Sequence, residues 1–109
     1  LFYNDALPAW IKIPYLQAFN IRHSYYAYHI RTSNRDKLQS MLSDLGIETR
    51  VQHRLLIPKQ KYYEARARGS FPNASKITSQ TLCLPIHEKL NDEQLELVSD
   101  SINLLAPLR

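Results

Sequence analysis

Leu38, Met41, Leu42 and Leu45 recur at the three- and four-residue spacing that sets one apolar stripe along a helix, with Lys37, Gln39, Ser40, Ser43 and Asp44 filling the other side. Ser33 stands three residues before Asp36, as an N-cap with an acidic partner should, and Gly46 supplies the left-handed stop. Immediately afterwards the period changes from helical to alternating. Ile47, Thr49 and Val51 alternate with Glu48, Arg50 and Gln52, which predicts a half-buried strand and, with the helix, a βαβ-type unit. Side chains two apart on a strand point the same way, so Arg50 and Gln52 share a face opposite Ile47 and Val51.

The rest of the chain follows the same logic. Residues 8–20, with Pro8, Trp10, Pro14 and Phe19, show no period and are expected to form an ordered loop with a short extended piece. Ser24 to Arg31 is aromatic and β-prone, hence a strand. Lys59 to Arg68 is charged and tyrosine-containing, expected as a helix ended by Gly69. Pro72 suits the first turn of a short helix running to about Gln80. Thr81 to Ile86 is an apolar strand stopped around Pro85. Asn91 caps a last helix with Gln94 three residues on, Leu95, Val98, Ile102 and Leu105 as its buried face, and Pro107 beyond its end. The expected fold class is α/β (α+β): a small mixed sheet of about three strands with helices packed on one face. The sheet's other face, carrying Arg50 and Gln52, then looks toward whatever the domain docks on.

Composition bounds this picture without redrawing it. With 109 residues, 44% hydrophobic and 22% charged, the chain suits one folded domain with a modest core. The net charge of +4 gathers loosely in Lys59, Lys61, Arg66, Arg68 and Lys76, a solvated face or loop more than a dense nucleic-acid footprint. No apolar run approaches the roughly 18 residues of a membrane span. The single Cys83 cannot form an internal disulfide and is expected as a buried thiol, which fits a reducing, cytoplasmic setting.

The chemistry that is missing is equally informative. Two glycines cannot build a P-loop or a dinucleotide fingerprint, and no serine sits in a Gly-x-Ser-x-Gly elbow. His23, His29, His53 and His87 fall in no HExxH pattern, so no metal site is expected. His29 reads most simply as a strand residue with a hydrogen-bonded ring, and His87 as a loop or helix-start residue. By inventory this chain is not a complete enzyme.

A series of motifs then suggests where it belongs. The helix end Tyr3-Asn4-Asp5-Ala6-Leu7 is followed by His23-x-Tyr25-x-x-Tyr28-x-Ile30-Arg31, then Arg35-Asp36-x-Leu38, then Gly46-Ile47-x-Thr49. Further on come Gln60 with Tyr63, Phe71-Pro72-x-Ala74, Leu82-x-Leu84-Pro85-Ile86-His87, and Glu93-Gln94 with Val98. In this order and spacing the chain resembles the C-terminal region of the DegT/DnrJ/StrS family of pyridoxal-phosphate-dependent sugar aminotransferases. The resemblance implies that residues 1–109 are a single domain, the small C-terminal domain of a larger fold-type I enzyme, with 1–7 the end of a helix begun upstream. It implies an intact homodimer that moves an amino group from glutamate to a nucleotide-linked keto-sugar, for cell-surface polysaccharide (lipopolysaccharide) or sugar-antibiotic biosynthesis. The cofactor, pyridoxal 5′-phosphate, and the Schiff-base lysine would lie in the missing large domain. No catalytic residue is therefore assigned here, and the isolated chain is expected to be inactive.

The chain departs from the family where many members carry His-Tyr-Pro, reading Gln52-His53-Arg54 instead. Position alone carries over, making Arg50, Gln52 and His53 the candidate substrate-binding residues. Arg50 could pair with a carboxylate or diphosphate, or make an interdomain salt bridge. Two alternatives stand beside this reading: a non-catalytic regulatory relative of the same fold, and a free-standing basic α/β module binding RNA. The first reading expects no nucleic-acid partner and no membrane association.

Overall fold

The computed structural model describes residues 2–15 and 20–105. Its centre is an antiparallel pair, β1 (Tyr28–Arg31) and β2 (Thr81–Leu84), in the register Tyr28↔Leu84 and Ile30↔Leu82. Alternation sends Tyr28, Ile30, Leu82 and Leu84 to one face, where all four are buried. Three helices cover them: α1 (Phe2–Ala6) through Tyr3, α2 (Arg35–Asp44) through Leu38 and Leu42, and α4 (Asp92–Leu104) through Val98 and Ile102. Each pair on α2 and α4 is four residues apart, so one stripe of each helix meets the sheet.

The sheet is smaller than expected and antiparallel, not mixed. Residues 47–52 do not form a third strand, and the βαβ expectation fails with it. The end of α2 explains this. Gly46, at φ +80°, and Ile47 donate to the carbonyls of Ser43 and Leu42 at 3.0 and 2.9 Å, the paired bonds of a Schellman stop. Ile47 is thereby drawn into the core, and Gln39 donates to the Thr49 carbonyl at 3.4 Å. Only Arg50 then reaches β2, by reciprocal bonds of 3.1 and 2.8 Å with Cys83. On the opposite edge Lys12 makes the same kind of single bridge to Arg31.

Other boundaries shift for local reasons. Ser24 to Ala27 are irregular and lie outside β1, because Tyr25 adopts φ +50° and its N–H donates to His23 Nδ1 at 2.8 Å, which breaks alternation. The N-cap of α2 is Asn34, one residue after the expected Ser33, so that Arg35 at the first helical position turns inward. Leu45, expected on the buried stripe, is 51% exposed because it is the C-cap, where the chain leaves the helical path. The helix expected over 59–68 is instead a 3₁₀ turn, Ile57–Lys59, followed by isolated turns. Tyr62 and Tyr63 are exposed there, so the segment has no apolar face to pack and nothing to lengthen a helix.

Residues 72–80 form α3 (Pro72–Gln80) as the pattern predicts, with Pro72 in its first turn. β2 ends before Pro85, whose carbonyl accepts a 2.7 Å bond from Tyr3. Asn91 caps α4 in a reciprocal box, accepting from Gln94 N–H at 2.8 Å while Gln94 Oε1 accepts from Asn91 N–H at 3.0 Å. Phe19 and Pro107 lie outside the described residues.

Candidate functional site

The helices occupy one side of the sheet, so the residues alternating away from them define the other. His29 and Arg31 on β1 and Thr81 and Cys83 on β2 point to this outer face. Arg50 joins them because residues opposite each other in an antiparallel bridge project the same way. Gln52 follows: its Oε1 lies 3.0 Å from His29 Nε2 and accepts a weak 3.8 Å bond from Cys83 Sγ. Cys83 is buried, and burial pushes its thiol up, with Arg50 pulling the other way as a smaller effect.

A cleft of about 670 Å³ lies over this face. His29 and Arg31 belong to its floor, Lys12 and Tyr15 to one wall, Gln52 and His53 to another, with Ile77 of α3 beside them. The candidate substrate-binding residues are thus divided. Gln52 and His53 line the cleft together. Arg50 opens instead into a neighbouring hollow of about 730 Å³ with Cys83 and Pro85. Lys12, His29 and Arg31 were not singled out from the sequence as site residues. The parity of His29 and Arg31 on one strand could have paired them, whereas Lys12 arrives through a bridge between residues far apart in the chain, which no local pattern encodes.

Behind His23, which lines the cleft, polar and aromatic contacts run back to the core. Asn4 accepts from the Tyr28 hydroxyl at 2.5 Å and donates to the Tyr25 hydroxyl at 3.3 Å. The rings of Tyr3, Tyr28 and Tyr25 follow one another at 5.0 and 5.7 Å, and His23 stacks on Tyr25 at 4.3 Å. Burial pushes the Tyr3 phenol up to about 12 and raises that of Tyr28 still further, with Tyr25, Tyr3 and Asp5 adding to the latter. Both phenols stay neutral and serve as hydrogen-bond donors, so this cluster is a support and not a source of acid–base chemistry. Among the described residues no Asp or Glu lines the cleft, and no group of three His, Cys, Asp or Glu could hold a metal ion. The side chains present can donate hydrogen bonds and positive charge.

Comparison with known proteins gives this geometry a context. The family model of the DegT/DnrJ/EryC1/StrS aminotransferases matches residues 3–103. The chain is 33% identical over 82 residues to a pleiotropic regulatory protein of Geobacillus stearothermophilus, covering 73% of this chain and 22% of that one. It is 28% identical over 81 residues to the dTDP-3-amino-3,6-dideoxy-alpha-D-galactopyranose transaminase of Aneurinibacillus thermoaerophilus, covering 74% and 22%. A crystal structure of a DegT DnrJ EryC1 StrS aminotransferase from Brucella abortus superposes with a TM-score of 0.84 at 30% identity, over 94% of this chain and 28% of that one. The chain spans about a fifth of the length of these two curated relatives.

Proposed function

The chain belongs to the DegT/DnrJ/EryC1/StrS aminotransferase family, and from that premise we propose that it is the small C-terminal domain of a pyridoxal-phosphate-dependent sugar aminotransferase. The intact enzyme takes its amino group from glutamate and delivers it to a nucleotide-linked keto-sugar destined for a surface polysaccharide or a sugar antibiotic. It works as a cytoplasmic homodimer. The observation that carries this reading is the family match over residues 3–103, together with a polar sheet face turned away from the helices. No helix among the described residues is long and apolar enough to cross a membrane.

The described cleft does not fit the cofactor by itself. Pyridoxal phosphate needs a lysine for its aldehyde and a charged partner, commonly a carboxylate, for its ring nitrogen. No carboxylate lines this cleft among the described residues, and Lys12, its one lysine, is exposed at the sheet edge. In this reading Gln52 and His53 form one wall of a cleft completed by another domain and orient the substrate there. Arg50 stands outside that wall, facing either substrate or the neighbouring domain.

The test is made on the full-length parent. It should carry a lysine-bound pyridoxal chromophore and aminate a keto-sugar nucleotide at the expense of glutamate, while residues 1–109 alone show no transamination. Loss of both properties in the parent would sink the enzyme reading. The relative named a pleiotropic regulatory protein favours a second reading, in which the parent regulates without catalysis. A parent that lacks the Schiff-base lysine upstream would select it.

A further inference from the structure

We propose that His29 is a positioning residue: it holds the Gln52 carboxamide with its NH2 turned into the cleft, as a donor to an uncharged substrate oxygen. The assignment deepens the aminotransferase reading above and rests on it. The strands bring the parts together. His29 and Cys83 are partners in the antiparallel register, and both Arg31 and Cys83 spend their backbone groups on the flanking bridges. His29 and Cys83 are therefore a non-hydrogen-bonded pair, the kind whose Cα atoms lie about 4.5 Å apart and whose side chains come closest. Gln52 stands two residues beyond Arg50, which bridges to the same Cys83, and its side chain lies across the pair.

The contacts decide which end of the carboxamide is which. Cys83 Sγ donates to Gln52 Oε1 at 3.8 Å, and burial keeps that thiol protonated. His29 Nε2 lies 3.0 Å from the same oxygen, which has no hydrogen to give, so Nε2 carries the proton and donates. The reverse orientation would set the Gln52 NH2 against the thiol hydrogen, donor against donor. With Oε1 engaged twice, the NH2 is left over, and no described residue accepts from it.

Gln52 is exposed and borders the cleft, so these hydrogens open onto the space a substrate would enter. An exposed carboxamide turns freely unless it is tied. The thiol is a weak donor and its bond is long, which leaves the tie to His29, half-buried on β1. A neutral N–H suits a hydroxyl or carbonyl oxygen, and a substrate without that oxygen leaves the donor unpaired.

Variants of the full-length parent test this, with turnover measured on glutamate and a dTDP- or UDP-linked keto-hexose. His29→Leu should raise KM for the sugar nucleotide about three- to tenfold, the scale of one neutral hydrogen bond, with kcat and KM for glutamate unmoved. His29→Gln should restore most of the loss, because a glutamine Nε2 stands where the imidazole Nε2 does. Gln52→Ala should raise the same KM at least as far, and His29→Leu should add nothing in that background. Additive effects, a rise in glutamate KM instead, or an unmoved sugar-nucleotide KM in His29→Leu overturn the positioning role and keep the enzyme reading. Nitrogen NMR of the histidine-labelled parent at about pH 8, where an ordinary imidazole is neutral, needs no turnover. The signal that His29→Gln removes should show the proton on Nε2. A proton on Nδ1 reverses the contact and overturns the inference, whether or not the parent transaminates. The Nε2–H form in a parent without transaminase activity sinks the enzyme reading alone and keeps the oriented carboxamide.

Discussion

Arg35 is 7% exposed, and its Nη1 donates to the carbonyls of Thr78 and Thr81 at 2.9 and 2.8 Å while Nε donates to Asp36 at 2.7 Å. Those carbonyls lie at the end of α3 and the start of β2, so one planar group ties three elements together. Replacing it by methionine would leave both carbonyls short of a donor, and Arg35→Met is expected to cost about 2–3 kcal/mol in urea unfolding. Arg35→Lys should recover little, since an ammonium cannot present the same fork. An unchanged midpoint in Arg35→Met would refute the tie. The buried tyrosines set a second expectation. The Tyr3 phenol titrates near 10 when unfolded and near 12 in the folded chain, and Tyr28 is raised in the same direction. The unfolded state therefore loses these protons first. Their contribution is complete below pH 10 and declines as pH climbs through 12, by up to about 1.4 kcal/mol per pH unit for each group. Urea midpoints at pH 9, 10 and 11 should fall progressively, and the fall should be shallower in Tyr3→Phe.

At the level of elements, what could be read from the sequence is what is encoded within a few residues. The Gly46 stop and the Asn91–Gln94 box rest on bonds between near neighbours, Pro72 opening α3 on its own fixed φ and missing N–H, and the structure has each of them. The stripes Leu38–Leu42 and Val98–Ile102 meet one common core, as helical spacing implies. Misreadings arose where distant atoms decide. Alternation over 47–52 suggested a strand, but Ile47 closes α2 and Gln39 takes the Thr49 carbonyl, which leaves β2 a single bridge. Charge and tyrosine content over 59–68 suggested a helix, yet without a buried side the segment breaks into turns. The candidate site divides in the same way. Gln52 does reach the outer face, but through its contact with His29 and not through a strand's parity, whereas Lys12 enters the cleft only because the fold lays residue 12 beside residue 31.

For the molecule as a whole, one face of a two-stranded sheet is sealed by helices and the other stays open beside Ile13, Tyr15 and Ile77, all exposed apolar groups around the cleft. Its edges consist of one bridge apiece. That arrangement divides the backbone amides by what shields them. Arg31 and Cys83 direct their N–H groups outward to Lys12 and Arg50, so by antiparallel alternation Tyr28, Ile30, Leu82 and Leu84 direct theirs between the strands. In deuterated solvent the inward amides should exchange only when the sheet itself opens. Those of Arg31 and Cys83 need only the departure of a single flanking residue and should exchange sooner. Equal rates for all six would contradict the bridges. Because Lys12 and Arg50 flank the outer face on opposite edges, the two early amides act as separate clocks. The Arg31 amide times the opening of the Lys12 wall, and the Cys83 amide times that of the Arg50 side. A ligand that engages only one side should slow one clock and leave the other running.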